Sequence, residues 1–136
     1  MQPYKNLIIS TVILFLFACS QKKEKVGIYQ FKQGAFKIAA TEKYKETLIV
    51  RKDSFQIEQY ENRIDTLLIK WNGNFKYTLK MLHPKTELDK KTIHVKITAI
   101  KKNNCDFIAK LDHSNFEQKG SLYKVSDQTE QFIKHP

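Results

Sequence analysis

Between Gly34 and Val125 the chain alternates apolar and polar residues with a period of two, in short runs broken by turn-forming residues. The clearest run is Phe75, Tyr77, Leu79 and Met81, with Lys76, Thr78 and Lys80 between them. Successive side chains of a strand point to opposite faces, so this pattern predicts half-buried strands; an amphipathic helix needs apolar spacings of three and four. The same alternation runs through Phe36, Ile38 and Ala40, Leu48 and Val50, Phe55 and Ile57, Leu67, Ile69 and Trp71, Ile93 to Ala99, Cys105 to Leu111, and Ser121 to Val125. Only Thr86 to Lys91 interrupts it, as one helical turn or a capped loop.

Each strand has one apolar face to bury. The prediction is therefore an all-β fold, an antiparallel up-and-down meander of about eight strands curled into a small barrel or half-barrel, which removes most of the exposed edge. Asp53-Ser54 and Asn103-Asn104 read as turns. At Asn72-Gly73-Asn74 a three-residue loop would set Trp71 opposite Phe75, Ile69 opposite Tyr77 and Leu67 opposite Leu79. A two-residue loop would place apolar against charged side chains, so the longer one is expected, with Asn74 left-handed. The same argument at Glu61-Asn62-Arg63 pairs Ile57 with Leu67.

A second feature lies ahead of the strands. Leu7 to Ala18 is apolar apart from Ser10 and Thr11, follows Lys5, and ends at Cys19, where polarity switches to Ser20-Gln21-Lys22-Lys23-Glu24-Lys25. A helix of about twelve residues reaches only ~18 Å, short of the ~30 Å of a bilayer core. The run therefore reads as a cleaved signal. Leu16-Phe17-Ala18-Cys19 resembles a bacterial lipobox, in which the cysteine sulfur takes a diacylglyceryl group and becomes the new N-terminus. Phe17 is bulkier than the strictest pattern allows, and an ordinary secretory signal is the competing reading. At ~0.8 kcal/mol per buried methylene, two or three acyl chains on Cys19 would hold the protein on a membrane almost permanently.

The expected organisation is a signal peptide over 1–18, a lipidated N-terminus and tether over 19–33, a β domain over 34–126 and a tail over 127–136. Of the 136 residues the signal removes 18, leaving 118, enough for one modest domain. The whole chain carries a formal charge of +10. The lysines are spread singly or in pairs, and arginine occurs only at Arg51 and Arg63. That is no compact nucleic-acid patch, and no nucleic-acid partner is expected of an exported domain. Lysines on solvated strand faces, guarding edges, are the favoured use; attraction to acidic head groups or glycans is the other. With Cys19 acylated, Cys105 is the one free thiol, expected to behave as a small apolar residue.

Phe31-Lys32-Gln33-Gly34-Ala35-Phe36, Arg51-Lys52-Asp53-Ser54-Phe55-Gln56-Ile57-Glu58, Asp65-Thr66 with Trp71, and Leu82-His83-Pro84-Lys85 followed by Lys90-Lys91-Thr92-Ile93 resemble a family of short flavobacterial (Bacteroidota) envelope lipoproteins. The resemblance spans nearly the whole mature domain and implies no established activity. Some members carry the automatic label "DNA topoisomerase IV", which this short, exported chain without a nucleotide-binding glycine motif does not support. Relatives that hold a cysteine before the first strand and another after the tryptophan differ from this chain, which has Ile28/Tyr29 and Asn74/Phe75 there.

No catalytic spacing emerges. His83, His94, His113 and His135 have no metal-ligand spacing, and no metal or cofactor is expected. Ser54, Ser114 and Ser121 lack a nucleophile-elbow glycine pattern. Asp53, Glu58, Asp65 and Glu87 are expected in salt bridges with nearby lysines. Trp71, Phe75 and Tyr77 could line a ligand cavity, with core packing the favoured use. The expectation is thus a non-catalytic binding module of the cell envelope, on the outer membrane, held by acyl chains on Cys19. Its partner would be an envelope protein, a glycan or a small apolar ligand. A small envelope hydrolase whose site the fold assembles is the alternative.

Overall fold

The computed structural model of the chain describes residues 27–132. The signal peptide, Cys19 and His135 lie outside the described residues. Eight strands follow one another as β1 (Gly34–Ile38), β2 (Thr47–Lys52), β3 (Phe55–Tyr60), β4 (Arg63–Trp71), β5 (Lys76–Met81), β6 (Ile93–Ile100), β7 (Asn104–Leu111) and β8 (Glu117–Ser126). Each pairs antiparallel with the next, and β8 returns to pair with β1, closing the barrel. The all-β meander expected from the alternation is the fold, and the barrel is closed rather than half-open.

One end is plugged. Residues 28–33, read from the sequence as the end of a tether, belong to the folded body. Ile28–Phe31 forms a short 3-10 helix whose Ile28 and Phe31 are buried, Phe31 completely. The Phe31 ring packs beside Phe36 with centroids 6.2 Å apart. Gly34 then starts β1 at φ +117°, and a Cβ there would lie 2.5 Å from the Ser126 carbonyl oxygen, so only glycine lets β1 and β8 close at this point. At the other end, the mouth, lie the 39–46, 82–92 and 112–116 connections. In the second, the Asp89 carboxylate accepts from the backbone N–H groups of Lys85 and Thr86, making a capped loop.

Inside, Phe36, Ile49, Leu67, Ile69, Tyr77, Leu79, Val95, Ile97, Cys105, Phe107 and Leu122 form one continuous core with Ile28 and Phe31. A bulge between Ile97 and Ala99 lets Ile100, and not Ala99, pair with Cys105 and pack on that core. The plug, the eight strands of the closed barrel and the core all lie within residues 27–132.

Both hairpin registers differ from expectation. The β4–β5 connection is longer, pairing Trp71 with Tyr77, Ile69 with Leu79 and Leu67 with Met81. The shift is by two residues, so the faces are preserved. The left-handed residue is Gly73, at φ +100°, not Asn74. The β3–β4 turn is shorter: Tyr60 pairs with Arg63 and the turn is Glu61-Asn62, with Glu61 at φ +52°. That is a shift by one, which inverts the strand. Leu67 faces Gln56, not Ile57, and the inward residues of β3 are Gln56, Glu58 and Tyr60. Phe55 is exposed and Ile57 half-buried on the outer wall.

Candidate functional site

The inward face of β2 carries Ile49 and then Arg51, which is only 1% exposed. A charge in that position needs all its donors engaged. Arg51 Nε donates to Gln56 Oε1 at 2.7 Å, Nη1 to the Phe31 carbonyl at 2.7 Å and Nη2 to the Tyr77 hydroxyl at 2.6 Å. The guanidinium carbon also lies 4.6 Å from the Tyr77 ring centroid, 5.3 Å from that of Phe36 and 5.8 Å from that of Trp71. This aromatic cage, roofed by the 3-10 plug, compensates part of the desolvation of the cation. Burial pushes the Tyr77 hydroxyl above its ordinary range, with Arg51 pulling the other way, so Tyr77 stays a neutral acceptor.

From Arg51 the polar chain runs along β3 towards the mouth. Gln56, also 1% exposed, takes Arg51 on its carbonyl and donates its amide to Glu58 Oε1 at 2.6 Å. The amide dipole thus links a buried cation to a carboxylate two residues on. Glu58 as a whole is half-buried, but its carboxyl group is surrounded by protein, and burial raises its affinity for a proton. The Gln56 hydrogen bond and the charge of Arg51 oppose that rise, Asp65 adds to it and Arg63 weakly opposes it. Among the described residues no lysine or arginine forms an ion pair with Glu58. Of the lysine salt bridges expected for the other acids, the one at Glu87 is found, with Lys90; Asp65 pairs instead with Arg63 at 2.5 Å, and among the described residues Asp53 has no ion pair. Asp53 sits in an exposed turn at φ +56°.

Glu58 opens onto a cavity of about 670 Å³ at the mouth. It exists because β1 stops early: β1 ends at Ile38, paired with Leu122, whereas β8 extends on through Gln118. Ile38, Thr47, Glu58, Tyr60, Gln118 and Gly120 are among the residues around it. Gly120 is part of this geometry, since a Cβ there would meet the Phe107 ring at 2.8 Å. Gln118 also borders a second cavity of about 360 Å³, lined by Leu88, Ile93, Ala109, Leu111 and Phe116, with Lys110 and Ser114. Leu88 and Phe116, from two mouth loops, remain more than half exposed. The interior is therefore packed at the plugged end and open at the mouth.

The residues singled out as a possible ligand face separate. Trp71 and Tyr77 point inward with ring centroids 4.7 Å apart and belong to the arginine cage. Phe75 is half exposed in the loop before β5, because the longer loop takes it out of the strand. Cys105 is buried in the core, where burial pushes its thiol up to about 11, Arg51 opposing and Asp106 adding. His94 sits on the outer wall with Nε2 2.7 Å from Asp112 Oδ1. Ser121 donates to Asp106 Oδ1 at 2.6 Å, on β7 and β8. Lys124 is not a solvated edge lysine: its ammonium donates to the carbonyls of Gln30 and Gln33, both at 2.6 Å, and pins the plug. Among the described residues no cluster of three His, Cys, Asp or Glu side chains could hold a metal.

Sequence reasoning missed Arg51 and Gln56 as interior residues, and placed Glu58 in a surface salt bridge with a lysine rather than facing inward. The signal available was Arg51 falling on the same parity as Ile49, and Gln56 opposite it across the Asp53-Ser54 turn. No family model, curated protein or solved structure matches this chain.

Proposed function

We propose that this chain is a lipid-anchored protein of the bacterial cell envelope whose barrel binds a ligand without transforming it, the mouth being the binding site. The observation that carries the reading is the uneven interior: a packed, plugged end and a mouth open over about 670 Å³, within the range of small-molecule sites. The lipobox-like Leu16-Phe17-Ala18-Cys19 and the resemblance to short Bacteroidota envelope lipoproteins support the anchor, with the outer membrane as the location. Among the described residues no histidine stands beside a serine at the mouth; Ser121, which borders the larger cavity, donates to the Asp106 carboxylate, with no imidazole to take its proton. His94–Asp112 and Ser121–Asp106 are separate pairs, and neither His94 nor Asp112 borders the larger cavity, which favours binding over the alternative of a small hydrolase.

Two measurements test this. Cells fed labelled palmitate should place the label on the protein and lose it in Cys19→Ala; unlabelled native protein refutes the anchor. Native mass spectrometry of protein drawn gently from envelopes should show a retained small molecule that Thr47→Trp, which fills the cavity, releases. A Thr47→Trp protein that retains the same ligand places binding elsewhere.

A further inference from the structure

The mouth has two unlike halves that meet at one side chain. Gln118 borders both cavities. On one side stand Leu88, Ile93, Leu111 and Phe116, apolar and close enough to wrap a chain or ring. On the other stands Glu58, whose carboxyl group takes one hydrogen bond from Gln56 and is given no cation of its own among the described residues. A carboxylate partly withdrawn from water and without an ionic partner is costly, and a cation that supplies the missing partner recovers that cost.

The cations that border the larger cavity are already engaged. Lys45 is paired with Glu61 at 2.7 Å and Lys119 with Glu117 at 3.7 Å. Arg51 lies behind Gln56, its guanidinium directed at Gln56, Phe31 and Tyr77. On a chain with a formal charge of +10, the inward acid of the mouth is the exception.

We infer that the barrel mouth takes a small amphipathic cation, its apolar part against Leu88 and Phe116 and its ammonium group on Glu58. The inference rests on the binding reading above and names the ligand class. An ammonium entering from solvent meets Glu58 Oε2, while Gln118, an amide between the halves, can donate or accept at the junction of head and chain. A molecule with an eight-carbon chain is small enough for a cavity of about 360 Å³. An anionic amphiphile of the same length meets the same apolar wall and is repelled at the other end.

The test uses residues 20–136, which contain the whole closed barrel, and three probes of equal length: octylamine, octanol and octanoate. Calorimetric titration at neutral pH should give octylamine at least tenfold tighter than octanol, and octanoate weakest. Glu58→Gln should bring octylamine to within about twofold of octanol, while Leu88→Ser should weaken all three. Equal affinities for octylamine and octanol, or octanoate binding tightest, overturn the cation assignment and leave the binding barrel standing. Absence of binding by all three at millimolar concentration overturns both.

Discussion

Arg51 should be the most stabilising polar side chain of the barrel, and the substitution that isolates its charge is Arg51→Met. Methionine keeps the volume and flexibility of the stem, so the cavity cost is small. What is lost is the set of three hydrogen bonds to Gln56, Phe31 and Tyr77. The Gln56 carbonyl and the Phe31 carbonyl are left without that donor in a dry interior, at roughly 1–3 kcal/mol each; the Tyr77 hydroxyl can turn to another acceptor. The Glu58 carboxylate also loses its nearest balancing charge, and breaking a buried ionic network from one side costs about 3–5 kcal/mol in all. That is a large share of the ~5–15 kcal/mol of a typical domain. Trp71, the single tryptophan, lies 5.8 Å from the guanidinium and reports on it directly by fluorescence. With a urea slope of about 1.5 kcal/mol/M, the unfolding midpoint should fall by roughly 2–3 M. Adding Glu58→Gln to Arg51→Met should restore part of the loss, since the stranded charge is gone. A midpoint shift below about 0.5 M for Arg51→Met, with an unchanged slope, would refute the claim that the network holds the plugged end together.

Glu58 sets a pH dependence of the opposite sign from a salt-bridged acid. Its proton affinity is raised in the folded state, so the fold binds more protons than the unfolded chain as pH climbs from the ordinary value of 4.5 to the raised one, and stability falls across that window. Glu58→Gln should therefore be more stable than the parent at neutral pH and lose that advantage in acid; urea midpoints at pH 4 and pH 7 measure it. Cys105, held up to about 11 by burial, should resist iodoacetamide at pH 8 in the native protein and react once urea unfolds it. Gly120→Ala should cost about 1–3 kcal/mol, because its Cβ would sit 2.8 Å from the Phe107 ring; Phe107→Leu in the same chain should recover most of that, read as a non-additive pair in thermal unfolding.

Much of the barrel was legible because the pattern and the structure share a period. Lys76 to Met81 and Cys105 to Leu111 occupy the faces their alternation assigns, and the capped loop around Asp89 follows from Thr86 and Glu87 at the break. The candidate site was not legible. β2 offers apolar residues on both faces, Ile49 against Leu48 and Val50, and β3 carries its apolar Phe55 and Ile57 on the face opposite Gln56 and Glu58. Hydrophobicity alone puts Val50 and Ile57 inside.

By itself the sequence determined the number of strands, their order and their meander connections, since period-two runs separated by short turns permit little else. Which face of β2 and β3 looks inward was decided only when the barrel closed. Phe36 pairs with Ile49, Arg51 with Gln56 and Gln56 with Leu67, so one ring of neighbours carries a single parity around the wall. Two-residue turns at Asp53-Ser54 and Glu61-Asn62, each with a left-handed residue, transmit that parity without a slip. Closure therefore commits Arg51, Gln56 and Glu58 to the interior against local hydrophobic preference, because a slip by one residue in any strand would turn the rest of the core out to solvent.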